Sequence, residues 1–130
     1  MTQAQPITAV LVYDDIQAAH DFLVDAFGLQ SGGVVDDTDG QAVHGEIRVS
    51  EAAIWLHRVS AENELSAASA LPAASGGLAV IVDDVDAHHA HARASGAHID
   101  SDPTDQPYGR REYGARDPEG HRWWFGTPTD

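Results

Sequence analysis

Ala9-Val10-Leu11-Val12-Tyr13-Asp14-Asp15 and Ala79-Val80-Ile81-Val82-Asp83-Asp84 carry the same pattern, an apolar run closed by two aspartates, placed twice in one chain. Each run is rich in the residues that suit a half-buried strand, and each aspartate pair ends it with a side chain able to cap a helix. Behind Asp15, residues Ile16, Ala19, Leu23, Ala26 and Phe27 recur at helical spacing, Phe22 widens the stripe, and Gly28 supplies a left-handed stop. Behind Asp84, residues 85–95 read as the matching helix and Gly96 closes it. Strands follow in each copy. In the first, a Gly/Asp-rich stretch (31–40) reads as a loop or weak strand, and residues 43–49 and 53–59 form a pair around a tight turn at Ser50-Glu51. In the second, a strand starts at Ile99, residues 103–109 read as a loop, and 111–116 and 122–125 form a hairpin around Asp117-Pro118-Glu119-Gly120. Gly28 aligns with Gly96 and Trp55 with Trp124. One strand, one helix and three strands, written twice, make an α+β duplication: 1–59, a linker at 60–77, and 78–130. The linker is rich in Ala, Ser and Glu, with Pro72 near its end, and residues 62–71 suit a short helix.

A chain of 130 residues with 42% hydrophobic and 22% charged residues is expected to fold as one domain. No apolar run approaches the ~20 residues that span a bilayer. The stretch Met1 to Pro6 has neither the basic start nor the apolar segment of a secretory signal, and the absence of cysteine rules out disulfides and thiolate chemistry, so a cytoplasmic location is expected. Twenty-one acidic against seven basic residues give a net charge of -14. Such a surface repels phosphate, which argues against nucleic acid and anionic membranes as partners; it favours a cationic ligand, or serves solubility alone.

The passage Gln106-Pro107-Tyr108-Gly109-Arg110-Arg111-Glu112-Tyr113-Gly114-Ala115-Arg116-Asp117-Pro118-Glu119-Gly120-His121-Arg122-Trp123-Trp124-Phe125 is the most specific in the chain. It resembles the glyoxalase/bleomycin-resistance/dioxygenase (vicinal oxygen chelate) superfamily, in its bleomycin-resistance-like subgroup: Pro-aromatic-Gly, an Arg-acid-aromatic strand, an Asp-Pro-acid-Gly turn and an aromatic last strand. The resemblance implies two βαβββ modules whose sheets curl into a half-barrel, and a homodimer with ligand cups at or beside the subunit interface. The superfamily hosts isomerases, dioxygenases, transferases and binding proteins, so the fold alone does not select among them. In its metal-dependent members four side chains converge in the cup. Their positions carry over to Thr8, Trp55, Gly77 and Trp124, none of which suits a divalent ion. No cofactor is therefore expected at that shared site.

Strand alternation aims Trp55 and Trp124 into the cup in one register and into the helix-packed core in the other. Paired indoles in the cup would stack an aromatic ligand or hold a cation. Alternation also sets His44, Glu46 and Arg48 on one face, with His57 on the face of Trp55. These residues suit either a relocated two-His-one-carboxylate metal site or a polar wall. His88, His89 and His91, with His98 nearby, fit a surface ion or, more simply, a solvated helix face. Arg110, Arg111, Arg116 and Arg122 gather most of the positive charge, to pair with carboxylates or to fork onto a ligand carboxylate. Tyr108 and Tyr113 beside them suit an aromatic wall or plain packing. No nucleophile elbow, phosphate loop or dinucleotide fingerprint is present.

The expected function is a metal-independent binding protein that sequesters an aromatic or cationic natural product, as drug-resistance members of the resembled family do. Trp55, Trp124, His44, Glu46, His57, Tyr108, Arg111 and Tyr113 form its expected ligand-binding set. The alternative is a glyoxalase- or dioxygenase-like enzyme with a relocated metal held by His44, Glu46 and His57. A cup filled by its own side chains, leaving a structural dimer, is a third reading.

Overall fold

The computed structural model describes residues 7–129; the stretch Met1 to Pro6, read above for targeting signals, lies outside them. The first repeat folds as β1 (Ala9–Tyr13), α1 (Ile16–Asp25), β2 (Gln30–Asp36), β3 (Ala42–Val49) and β4 (Ala52–Arg58). The second folds as β5 (Gly77–Ile81), α2 (Val85–Ala94), β6 (His98–Asp105), β7 (Arg110–Arg116) and β8 (Arg122–Pro128). Each repeat makes one four-stranded mixed sheet, ordered β1-β4-β3-β2 and β5-β8-β7-β6, and neither closes into a barrel. In both, the first strand runs parallel to the last and the other pairs are antiparallel.

The caps form as their residues dictate. Asp15 accepts a hydrogen bond from the Ala18 N–H at 3.0 Å, and Asp84 accepts one from Ala87 at 3.1 Å. Gly28 and Gly96 take φ of 68° and 89°, the left-handed conformation that ends each helix. The apolar stripe Ile16, Ala19 and Leu23 is buried, and it joins Tyr13, Ile47, Leu56, Tyr113, Trp123 and Phe125 in one hydrophobic cluster drawn from both repeats.

Side-chain hydrogen bonds join the two repeats at both ends of this core. Asp117, at the start of the β7–β8 turn and 3% exposed, accepts from the Tyr13 hydroxyl at 2.5 Å and from Trp123 Nε1 at 3.2 Å. Its other oxygen accepts the backbone N–H groups of Glu119 and His121. Glu119 in turn accepts the Asp14 and Asp15 N–H groups, and His121 Nε2 donates to the Val12 carbonyl. At the opposite end, α2 grips the end of α1: His88 Nε2 donates to the Phe27 carbonyl and His91 Nε2 to that of Asp25, both at 2.7 Å.

The Gly/Asp-rich stretch, expected as a loop or weak strand, is the irregular strand β2 as far as Asp36, paired with β3 through two register shifts, and a turn beyond it. Three expectations need correction. The linker helix shrinks to a single 3-10 turn (Ala68–Ala70). Pro103 lies inside β6 rather than in a loop, because β6 is an edge strand that needs no inward N–H there and is already bulged between Ser101 and Thr104. The histidine face of α2 is not simply solvated: His88 and His91 bridge the helices, and His89 packs edge-on against Tyr113 at 5.0 Å.

Candidate functional site: two open sheet faces

The side of each sheet turned away from its helix is fixed by which residues the core claims. In β4 the core takes Ile54 and Leu56, so Trp55 and His57 stand on the opposite face, Trp55 being 44% exposed. In β3 the core takes Gly45 and Ile47, leaving His44, Glu46 and Arg48 on that same open face. The register sets His44 opposite His57, Glu46 opposite Trp55, and Val10 beside Trp55. The His44 ring meets Trp55 at 5.9 Å in an edge-to-face arrangement. Glu46 is held by Arg48 at 3.0 Å, and its side chain lies over Gly32, where a Cβ would collide with it. His57 donates from Nδ1 to the Arg58 carbonyl. Among the described residues, no three His, Asp or Glu side chains converge as a metal-ligand set.

In β8 the core takes Trp123 and Phe125, so Arg122, Trp124 and Gly126 belong to the open face. Trp124 sits in register between Ala79 of β5 and Gly114 of β7. Its indole occupies space that side chains would otherwise fill. A Cβ on Gly77 would lie 2.6 Å from the ring, and one on Gly114 would touch it at 3.5 Å. The guanidinium of Arg122 stands over the ring, 5.3 Å from its centroid. Beside them opens a recess of about 400 Å3 lined by Trp124, Arg122, Arg116, Gly120 and linker residues Pro72 to Gly76. A second cavity, of about 240 Å3, lies along the seam of β1 and β5 under the same linker, lined by Val10, Val12, Leu71, Leu78 and His121 among others.

The remaining expected site residues divide. Tyr108 is exposed on the β6–β7 turn and its hydroxyl donates to Glu112, which holds that phenol's pKa above its ordinary value. Arg111 is tied to Asp86 of α2 and to Asp105, both at 3.1 Å, and is committed to the helix side of its sheet. Tyr113 is fully buried: it stacks on Phe125 and donates its hydroxyl to His88 Nδ1 at 2.6 Å. Neither Arg111 nor Tyr113 shares the open face of Trp124. Sequence reasoning did not single out Asp117, which secures the corner between the repeats, nor the linker as a wall of the recess. One signal was available for the Arg122–Trp124 pair, since residues two apart on a strand share a face.

The chain belongs to the Glyoxalase/Bleomycin resistance protein/Dioxygenase superfamily, whose model matches residues 5–125. It is 34% identical over 123 residues to the Mycobacterium tuberculosis (strain ATCC 25618 / H37Rv) protein Rv0887c, covering 92% of this chain and 72% of that one. Among solved structures it is similar to TioX from Micromonospora sp. ML1, with 28% identity, a TM-score of 0.73, and 96% and 99% of the two chains covered. It also superposes on TnmS3, an antibiotic binding protein from Streptomyces sp. CB03234, with 23% identity, a TM-score of 0.74 and 98% of each chain covered.

The positions at which metal-dependent members of such a family place their ligands do not fit a metal here. Trp55 and Trp124 offer only indoles, Gly77 has no side chain, and Thr8 is a lone hydroxyl. A ligand-bearing side chain at 77 would also strike the Arg122 carbonyl and the Trp124 ring.

Proposed function

We propose that this chain is a metal-independent binding protein that sequesters a small aromatic natural product on its open sheet faces, acting as a homodimer in the cytoplasm. The observation that carries the reading is the seating of Trp124. Its indole lies where glycines at 77 and 114 leave room for it and borders a recess of about 400 Å3, within the size range of small-molecule sites. Trp55, with His44 edge-on and Val10 alongside, offers a second aromatic surface at the equivalent position of the other repeat. His57 and Glu46 form the polar border of that surface. That the similar fold of TnmS3 belongs to an antibiotic binding protein supports the same assignment. The charge of -14 would draw a cation from a distance, but the Trp124 ring already carries the Arg122 cation, which favours a planar ring as the occupant.

Titration calorimetry against polycyclic aromatic antibiotics and naphthalene-2-carboxamide tests the reading. Saturable binding without chemical change is expected, weakened by about tenfold or more when Trp124 becomes Ala and further when Trp55 does, since a stacked ring contributes about 0.5–1.5 kcal/mol beyond its buried area. Affinities that survive the double substitution would end it.

A further inference from the structure

We infer that the recess beside Trp124 is an anion seat, and that the aromatic ligand of this face carries an acidic group held by Arg116 and Arg122. The inference rests on the binding-protein reading and specifies its ligand class. It starts from the chain's distribution of charge. All seven basic side chains are arginines, against 21 carboxylates. Four of them have at least one carboxylate each: Arg48 with Glu46, Arg58 with Asp37, Arg110 with Glu112, and Arg111 with both Asp86 and Asp105. A fifth, Arg93, stands in the last turn of α2, away from the recess. Arg116 and Arg122 reverse the ratio. They share Asp100 alone, at 3.0 and 3.1 Å, and His98 Nε2 competes for the same carboxylate at 3.2 Å.

The sharing is unequal. Arg116 donates from Nε to both oxygens of Asp100. The Nε of Arg122 is sealed from solvent and, although close to Asp100, has no hydrogen-bond partner among the described residues. Both side chains are partly exposed, and both line the recess, whose wall contains no Asp or Glu. Two guanidiniums that share one carboxylate, set side by side on a wall that contains no other carboxylate, match the planar fork of a carboxylate. Its position over the indole orients Arg122 beforehand, and Ser75 of the linker adds a hydroxyl to the same wall. An acidic group seated there places an attached ring beside Trp124. The field of the whole chain repels a dianion about twice as strongly as a monoanion, so a carboxylate is favoured over a phosphate ester.

The test is calorimetry on the intact protein at neutral pH with naphthalene-2-carboxylate, its neutral isostere naphthalene-2-carboxamide, and 2-naphthyl phosphate. The carboxylate is expected to bind about tenfold more tightly than the amide, as a charge-assisted fork is worth roughly twice a neutral hydrogen bond. The phosphate is expected to fall between them; a phosphate that binds more tightly than the carboxylate identifies a phosphoryl ligand for the same seat. The carboxylate-to-amide ratio should collapse toward one in the Arg116→Gln/Arg122→Gln variant and stay unchanged in Arg58→Gln. Should the double variant fail to fold, Asp100→Asn gives the complementary reading: removing the competing carboxylate should raise the ratio. An amide that binds as well as the carboxylate, with Trp124-dependent affinity, overturns the anion seat while leaving the aromatic binding reading intact. If none of the three naphthalenes binds, both fall.

Discussion

Asp117 shows how much one buried residue can hold. Its carboxylate takes two side-chain donors, one from each repeat, and two backbone N–H groups of its own turn. Tyr13 is the partner across the repeat boundary; burial first, then the Asp117 charge, pushes its phenol pKa well up, so it remains a donor at any ordinary pH. Replacing Asp117 with Ala leaves those donors buried and unmatched and is expected to cost at least about 3 kcal/mol, whereas Tyr13→Phe removes one bond and should cost about 1–2 kcal/mol. Urea unfolding would show both as lower midpoints at unchanged slope, and an Asp117→Ala midpoint equal to that of the parent would remove the corner from the account. Gly77 makes a different demand, on space. A methyl there would lie 2.5 Å from the Arg122 carbonyl oxygen, which backbone cannot easily yield. Gly77→Ala should therefore destabilise by about 1–3 kcal/mol and shift the Trp124 ring, read as a change in near-ultraviolet dichroism and in aromatic-ligand affinity. Strand alternation left Trp55 and Trp124 two faces to choose between, and the burial of Ile54, Leu56, Trp123 and Phe125 decides it by claiming the core side. Tyr113 was not legible: nothing local in Arg-Glu-Tyr-Gly distinguishes a buried phenol from an exposed one until His88 is seen to accept its hydrogen bond.

At the scale of elements, α2 is the informative case. Its apolar content is low and its histidines look like a solvated face, yet His88 is wedged between Phe27, Phe125 and Tyr113. The Phe27 carbonyl can only accept, so His88 Nε2 carries the proton and Nδ1 receives the Tyr113 hydroxyl; the neutral ring satisfies both. Burial, with a smaller contribution from His91, holds the His88 pKa below its ordinary 6.5. The unfolded chain then binds the extra proton first. Stability contributed by neutral His88 is complete above 6.5 and is lost as pH falls through the lowered value. Chemical denaturation between about pH 7 and pH 5 should show stability declining with acid, and the decline should be shallower in His88→Gln. An identical slope in the variant would mean that another group sets the acid sensitivity. Periodicity reads apolar faces and cannot register such a contact, because the partners lie 25 and 61 residues away. The same limit explains β2 and the linker. Gln30–Asp36 has little apolar content and becomes a strand because β3 offers a free edge, while residues 62–71 lack the buried stripe that would sustain a helix.

For the whole molecule, two demands meet on the open faces. Val10, Trp55 and Ile81 remain 47%, 44% and 65% exposed there, an apolar content that solvent does not favour and that a second copy would cover. Each copy also carries -14, so approach is resisted by like charge. If the proposed homodimer forms by apolar contact against that repulsion, added salt should strengthen it, since the Debye length shrinks from about 30 Å at 0.01 M to about 10 Å at 0.1 M. Sedimentation equilibrium at those two ionic strengths should give a lower dimer dissociation constant at the higher one. Trp55→Glu, which replaces apolar contact with a further negative charge on that face, should give monomer at both. A dimer that loosens with salt would instead place ion pairs at its centre and remove the apolar face from that role.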